Sequence, residues 1–189
     1  MKTRFKANAA AVAAVLVMLT TAIGTAHAST DSVQGSFATQ ARSARLTSAQ
    51  VQKLQGEVNA YVAKSGGKQV SLNKVKFKGG SMLFVVPGEK YARDLGAQSS
   101  QVASTYNCKY GHFCAYSKTW YAGSVKDVSA CGTNYYISFT GPGSWKNNQT
   151  TGLRAQFLDK YFNWIDSTPN AYSADPNGNW TPVYYVNPC

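Results

Sequence analysis

Carboxylates, histidines and long apolar runs are all scarce in this sequence, and each shortage excludes something. Asp and Glu number 8, His 2, and charged residues make up 14% of the 189 positions. Acid–base catalysis needs such groups to converge, usually in pairs. Here Glu57, Glu89, Asp127, Asp159 and the other acids are scattered, His112 is the one histidine beyond the first 28 residues, and no GxSxG elbow occurs. The chain is therefore not expected to be an enzyme. It holds 4 cysteines without a CxxC pair, which argues against a zinc site, and four paired thiols would leave no thiolate for catalysis. No apolar run reaches the ~20 residues a spanning helix needs, so no membrane span is expected.

The one apolar stretch has another purpose. Lys2, Arg4 and Lys6 precede a run from about Ala9 to Ile23, and Ala26-His27-Ala28 follows. This is the pattern of a secretory signal peptide over residues 1–28, cut after Ala28, and it predicts a secreted, extracellular protein. In that oxidising compartment Cys108, Cys114, Cys131 and Cys189 are expected to form two disulfides, with three connectivities open.

The formal charge of +11 falls to +8 when the three basic residues of the leader are removed, because all 8 acids lie beyond it. Most of the excess sits before residue 106. It suits anionic cell-wall polymers, and it equally serves solubility. Nucleic acid is not an expected partner, because the aromatics needed for stacking lie in the other half.

Residues 29–45 are small, polar and aperiodic, and are expected to form a disordered arm. A small α+β segment is expected over 46–91. Thr47 and Gln50 have the spacing of a capping box, and Leu46 can staple onto Val51. Val51, Leu54, Val58, Tyr61 and Val62 recur at helical spacing until Gly66-Gly67 stops the helix. Alternation around Val70, Leu72, Val75 and Phe77, then Met82 to Val86 after Gly79-Gly80, predicts a short antiparallel sheet. Residues 92–105 have a linker composition, with a domain boundary near Thr105.

Beyond that point 18 of the 24 aromatic residues occur, in short β-like runs punctuated by Gly, Pro and Asn. An antiparallel sandwich is predicted over 106–189. Within it Tyr116, Tyr121 and Gly123 match the aromatic, four residues, aromatic, one residue, glycine signature of a βγ-crystallin Greek key, with Ser144 and Trp145 where that motif places its hairpin-tying serine and an apolar strand. A weaker second copy runs through Phe157 and Phe162, with Trp164 in place of glycine, and Gly178-Asn179-Trp180 echoes Gly143-Ser144-Trp145.

Taken with Cys108, Gly111, Cys114 and Cys131-Gly132, these residues make 106–189 resemble the secreted actinobacterial peptidase inhibitors typified by the Streptomyces metalloproteinase inhibitor. Lys109 departs from the family's usual proline. The resemblance implies a mainly β, βγ-crystallin-like Greek-key sandwich preceded by the small α+β segment, which looks like a leader or propeptide. It implies a monomeric peptidase inhibitor that blocks an extracellular protease, a metalloprotease by preference, with a rigid disulfide-supported loop. By the family's spacing Cys108 would pair with Cys114 and Cys131 with Cys189, making Lys109, Tyr110, Gly111, His112 and Phe113 the candidate contact loop. No cofactor is implied. Calcium-binding crystallins carry acidic or amide residues before the motif serine, whereas Thr140-Gly141-Pro142-Gly143 stand here, so no metal site of that kind is expected. The alternative function is a cell-wall or carbohydrate-binding module that uses Trp120, Trp164 and Trp180 as a platform, set against the same rings filling the core. If residues 1–28 are the leader, N-terminal sequencing of the secreted chain will begin at Ser29; a start at or beyond residue 92 would show that the front segment is a removed propeptide.

Overall fold

The computed structural model describes residues 30–97 and 106–189. The expected signal peptide and most of the expected linker lie outside them. Helices α1 (Thr30–Ser43) and α2 (Ser48–Ser65) precede eleven strands. These are β1 (Lys68–Ser71), β2 (Lys74–Phe77), β3 (Gly80–Leu83), β4 (His112–Tyr116), β5 (Val125–Val128) and β6 (Tyr135–Tyr136), then β7 (Pro142–Asn148), β8 (Gln156–Leu158), β9 (Trp164–Ser167), β10 (Ser173–Asn179) and β11 (Tyr185–Asn187). The chain is mainly β, with two antiparallel sheets ordered β1-β2-β3-β5-β4-β7-β10 and β6-β11-β8-β9.

The segment read as a disordered arm over 29–45 forms α1 at residues 30–43. Its apolar contacts are small and widely spaced, which hid them: Phe37, Ala41 and Ala44 pack against the cluster of Leu54, Val58, Leu72 and Val75. Gln40 Oε1 also accepts a 2.7 Å hydrogen bond from the Leu72 amide at the β1–β2 turn. Such a helix is stable through tertiary contact rather than propensity.

The boundary expected near Thr105 does not divide the sheet. Strand β3 pairs with β5 through Gly80↔Val128, Ser81↔Asp127, Met82↔Lys126 and Leu83↔Val125, so one sheet runs through both halves of the chain. An isolated β3 and an isolated β5 would each expose a row of unpaired backbone groups, and joining them removes both edges. The Ser124 hydroxyl adds a 3.0 Å bond from the Val85 amide.

Other elements follow local rules. Thr47 Oγ1 accepts from the Gln50 amide at 3.2 Å while Gln50 Oε1 accepts from the Thr47 amide at 2.9 Å, completing the capping box. Helix α2 buries Leu54, Val58 and Tyr61 against the hairpin.

Between the sheets lies a second core: Phe113 and Ala115 from β4, Val128 from β5 and Trp145 from β7 meet Tyr135, Phe157 and Val186 from the smaller sheet. Two layers packed in this way are consistent with a β-sandwich. Their strand orders are related. Replacing β4, β5, β6 and β7 by β8, β9, β10 and β11, and the reverse, converts β5-β4-β7-β10 into β9-β8-β11-β6. Each set of four strands thus lends its third strand to the opposite sheet.

The two cores meet at Lys126, which is 2% exposed. Its Nζ donates to Tyr61 OH on α2 at 2.7 Å and to the Tyr136 carbonyl on β6, above the Phe77 ring at 4.9 Å. Among the described residues no carboxylate pairs with it, and burial depresses its pKa from 10.5 to about 7. The folded state therefore binds fewer protons than the unfolded state between those values, so stability rises with pH across this window, and the penalty is complete below it. Chemical denaturation from about pH 6 to about pH 9 should show this upward slope. Lys126→Met should flatten it and add on the order of 2 kcal/mol at pH 6, the relief of charge burial outweighing the lost hydrogen bonds. A slope unchanged by the substitution would assign it to other groups.

Candidate functional site

The loop from Cys108 to Cys114 is held from every side. Its two cysteines are joined, with Cα atoms 5.8 Å apart, and the second disulfide joins Cys131 to Cys189. Gly111, at φ 83°, turns the chain into β4 and donates its amide to the Asn148 carbonyl at 2.8 Å. Asn148 Nδ2 returns a 2.9 Å bond to the Cys108 carbonyl.

Beneath the loop, His112 Nδ1 is in hydrogen-bond contact with Asp127 Oδ1, and Tyr106 OH donates to Asp127 Oδ2 at 2.6 Å. Burial, and then the neighbouring Asp127 charge, push the Tyr106 hydroxyl well above its usual range, so it remains a donor. The acids and histidine that look scattered in sequence thus include one close pair. The β4–β5 register, in which Cys114 stands opposite Asp127, brings it together.

The predicted contact loop divides by role. Phe113 is fully buried in the inter-sheet core, His112 anchors, Gly111 turns, and only Lys109 and Tyr110 face solvent, Tyr110 being 71% exposed.

The sequence motif converges on the neighbouring β4–β5 connection. Tyr116 is fully buried, donates its hydroxyl to the Tyr106 carbonyl at 3.0 Å, and meets the Tyr121 ring edge to face at 5.5 Å. Trp120 and Tyr121 both take positive φ, which L residues resist. Ser144 from β7 holds that conformation: its Oγ donates to the Lys118 carbonyl at 2.7 Å and accepts from the Tyr121 amide at 2.9 Å. Gly123 has φ 78°, and a Cβ there would run into Ser117 Oγ. Trp145 does not join the connection; it lies in the inter-sheet core against Phe113 at 6.3 Å and Phe157 at 6.2 Å.

The second copy is arranged differently. Phe157 points into the inter-sheet core, edge to face with Trp180 at 5.8 Å, whereas Tyr116 occupies the opposite face of its sheet. Phe162 (φ 66°) does not brace Phe157 but stacks on Tyr185 at 4.4 Å. The Gly178-Asn179-Trp180 echo is not a repeat of Gly143-Ser144-Trp145, because β10 is the hydrogen-bonded neighbour of β7, with Gly178 opposite Gly143. Trp180 is 2% exposed and donates its indole N–H to the Tyr116 carbonyl at 2.8 Å.

Of the three tryptophans considered as a platform, Trp180 is therefore core, while Trp120 and Trp164 are 62% and 64% exposed. A different group of aromatics gathers around Trp164. The pairings Tyr136↔Tyr185, Tyr185↔Leu158 and Leu158↔Trp164 put these side chains in one row across all four strands of the smaller sheet. Phe162 stacks on the middle of the row, held there by Asp159, whose carboxylate accepts from the amides of Tyr161 at 2.7 Å and Asn163 at 2.9 Å. Register and ring stacking created this row, and no sequence spacing marks it.

Among the described residues no group of three or more His, Cys, Asp or Glu side chains is placed to hold a metal ion, and no helix is long and apolar enough to cross a membrane. No protein-family model, curated protein or solved structure matches the chain.

Ser144→Ala should remove the tie across the β4–β5 connection at a cost of about 1 kcal/mol, because its two partners, on exposed Lys118 and half-buried Tyr121, can turn to water. Hydrogen exchange should localise the loosening to residues 117–124 while the Cys108–Cys114 loop stays protected. Uniform loss of protection would show that the serine supports the whole sheet.

Proposed function

We propose that the protein is a secreted peptidase inhibitor, and that residues 106–189 form a βγ-crystallin-like Greek-key sandwich presenting the inhibitory loop. The observation carrying this proposal is the exposed Lys109-Tyr110 tip on a loop fastened by the Cys108–Cys114 disulfide, the Asn148 backbone and the His112–Asp127 contact. A protease cleft accepts an exposed loop. If that segment is already ordered, binding costs little conformational entropy, and a disulfide keeps its ends together after a nick. The reciprocal third-strand exchange and the serine tie support the Greek-key part of the proposal. An extracellular metalloprotease is the favoured target class because of the motif resemblance in residues 106–189.

The row of Tyr136, Tyr185, Phe162 and Trp164 favours a second function, adhesion to cell-wall polysaccharide. Phe162 and Trp164 are 54% and 64% exposed beside the half-buried Tyr136 and Tyr185, and sugar rings present apolar faces that stack on such exposed rings.

The two are separable with the chain 29–189 produced under oxidising conditions and titrated against metallo-, serine and cysteine proteases. Stoichiometric, slowly dissociating inhibition of one class is expected, weakened at least tenfold in a Lys109→Ala/Tyr110→Ala variant whose thermal stability is unchanged. Inhibition of no class, with retention on peptidoglycan or chitin that Trp164→Ala abolishes, would replace the inhibitor proposal by the adhesion one.

A further inference from the structure

Where the C-terminal turn of α2 meets the end of β2 and the edge strand β6, a cavity of about 420 Å³ remains open. Its walls are unusual for a chance gap. The rings of Tyr61, Phe77, Tyr136 and Tyr185 line it, and so do three amines, those of Lys64, Lys78 and Lys126, with no carboxylate among the lining residues. Glu57, further back on α2, lines a separate cavity.

Lys126 is fully enclosed, and in its protonated form uses only two of its three N–H donors, on Tyr61 OH and the Tyr136 carbonyl. Lys64 Nζ sits 4.2 Å from the centre of the Tyr136 ring at the rim. A buried amine with a spare donor and two more amines at the mouth, with no carboxylate among the lining residues, describe a site that suits an anion. Aromatic walls and a volume suited to a small organic molecule add that the anion is carried on a ring.

We infer that this cavity binds the carboxylate of a six-membered ring compound of monosaccharide size, the carboxylate meeting Lys126 and Lys64 while the ring lies against the tyrosines. The site is distinct from the Lys109-Tyr110 tip and does not depend on protease inhibition. The depressed pKa of the buried amine is consistent with it, since a bound carboxylate would restore the charged form. An acidic sugar and an aromatic acid share this chemistry, and they differ in which ring stacks.

The test follows the Lys126 side chain by NMR in the chain 29–189 during titration with glucuronate, benzoate and the neutral methyl glucoside. Saturable binding of either carboxylate is expected to move the Lys126 titration midpoint up by about one pH unit, with methyl glucoside silent. Glucuronate binding identifies a sugar acid, benzoate an aromatic one. Lys126→Met should abolish the binding. Because that change alters the core, Lys64→Gln/Lys78→Gln, near the surface, serves as the second variant and should weaken carboxylate binding at least tenfold. No saturable effect from either carboxylate, an equal effect from methyl glucoside, or full affinity in the double variant would each overturn the inference.

Discussion

Strand β5 is the constraint on which the other features depend. All four of its residues are buried, and it is hydrogen-bonded on both edges, to β3 on one side and β4 on the other. A strand of alternating side chains must then place two polar residues in opposite interiors. Asp127 is directed to the face of Tyr106 and His112, where it anchors the disulfide loop. Lys126 is directed to the seam with α2, where it holds Tyr61 and the Tyr136 carbonyl and forms the floor of the cationic cavity. Shifting the register by one residue would exchange the two charges and dismantle both places at once.

The covalent links act at different levels. In the chain-entropy account, the Cys131–Cys189 bridge, spanning 58 residues, constrains the unfolded chain by about 4 kcal/mol, against about 2 kcal/mol for the 6-residue Cys108–Cys114 bridge. The long bridge fastens Cys189, just after β11, to Cys131, just before β6. The short one contributes less to global stability and more to the shape of its own loop. Asp127, which anchors the loop bearing the proposed inhibitory tip, and Lys126, in the proposed anion cavity, point to opposite faces of β5.

Much of the local structure was legible in the sequence. Thr47 with Gln50, the apolar stripe of α2 and the Gly66-Gly67 stop use interactions spanning a few residues, and all appear as expected. So do the β-rich second half and the convergence of Tyr116, Tyr121, Gly123 and Ser144 on one connection. Helix α1 was not legible, because a stripe of alanines around Phe37 carries little hydrophobic signal until a partner surface is present. The second aromatic copy misled for a related reason. Spacing predicts which residues recur, but not which face of the sheet a strand presents after a bulge such as that between Phe157 and Leu158.

By itself the sequence determined the aromatic β-rich half, the capped helix, the even set of cysteines and the shortage of acids. All of these are set by composition or by neighbours within a few positions. Tertiary structure alone decided that the two halves share a sheet, that His112 meets Asp127, that Trp180 is core while Trp164 is surface, and that three lysines line one cavity. The physical reason is the same in each case. Backbone pairing between strands distant in the chain sets the register, and register selects which side chains are buried together.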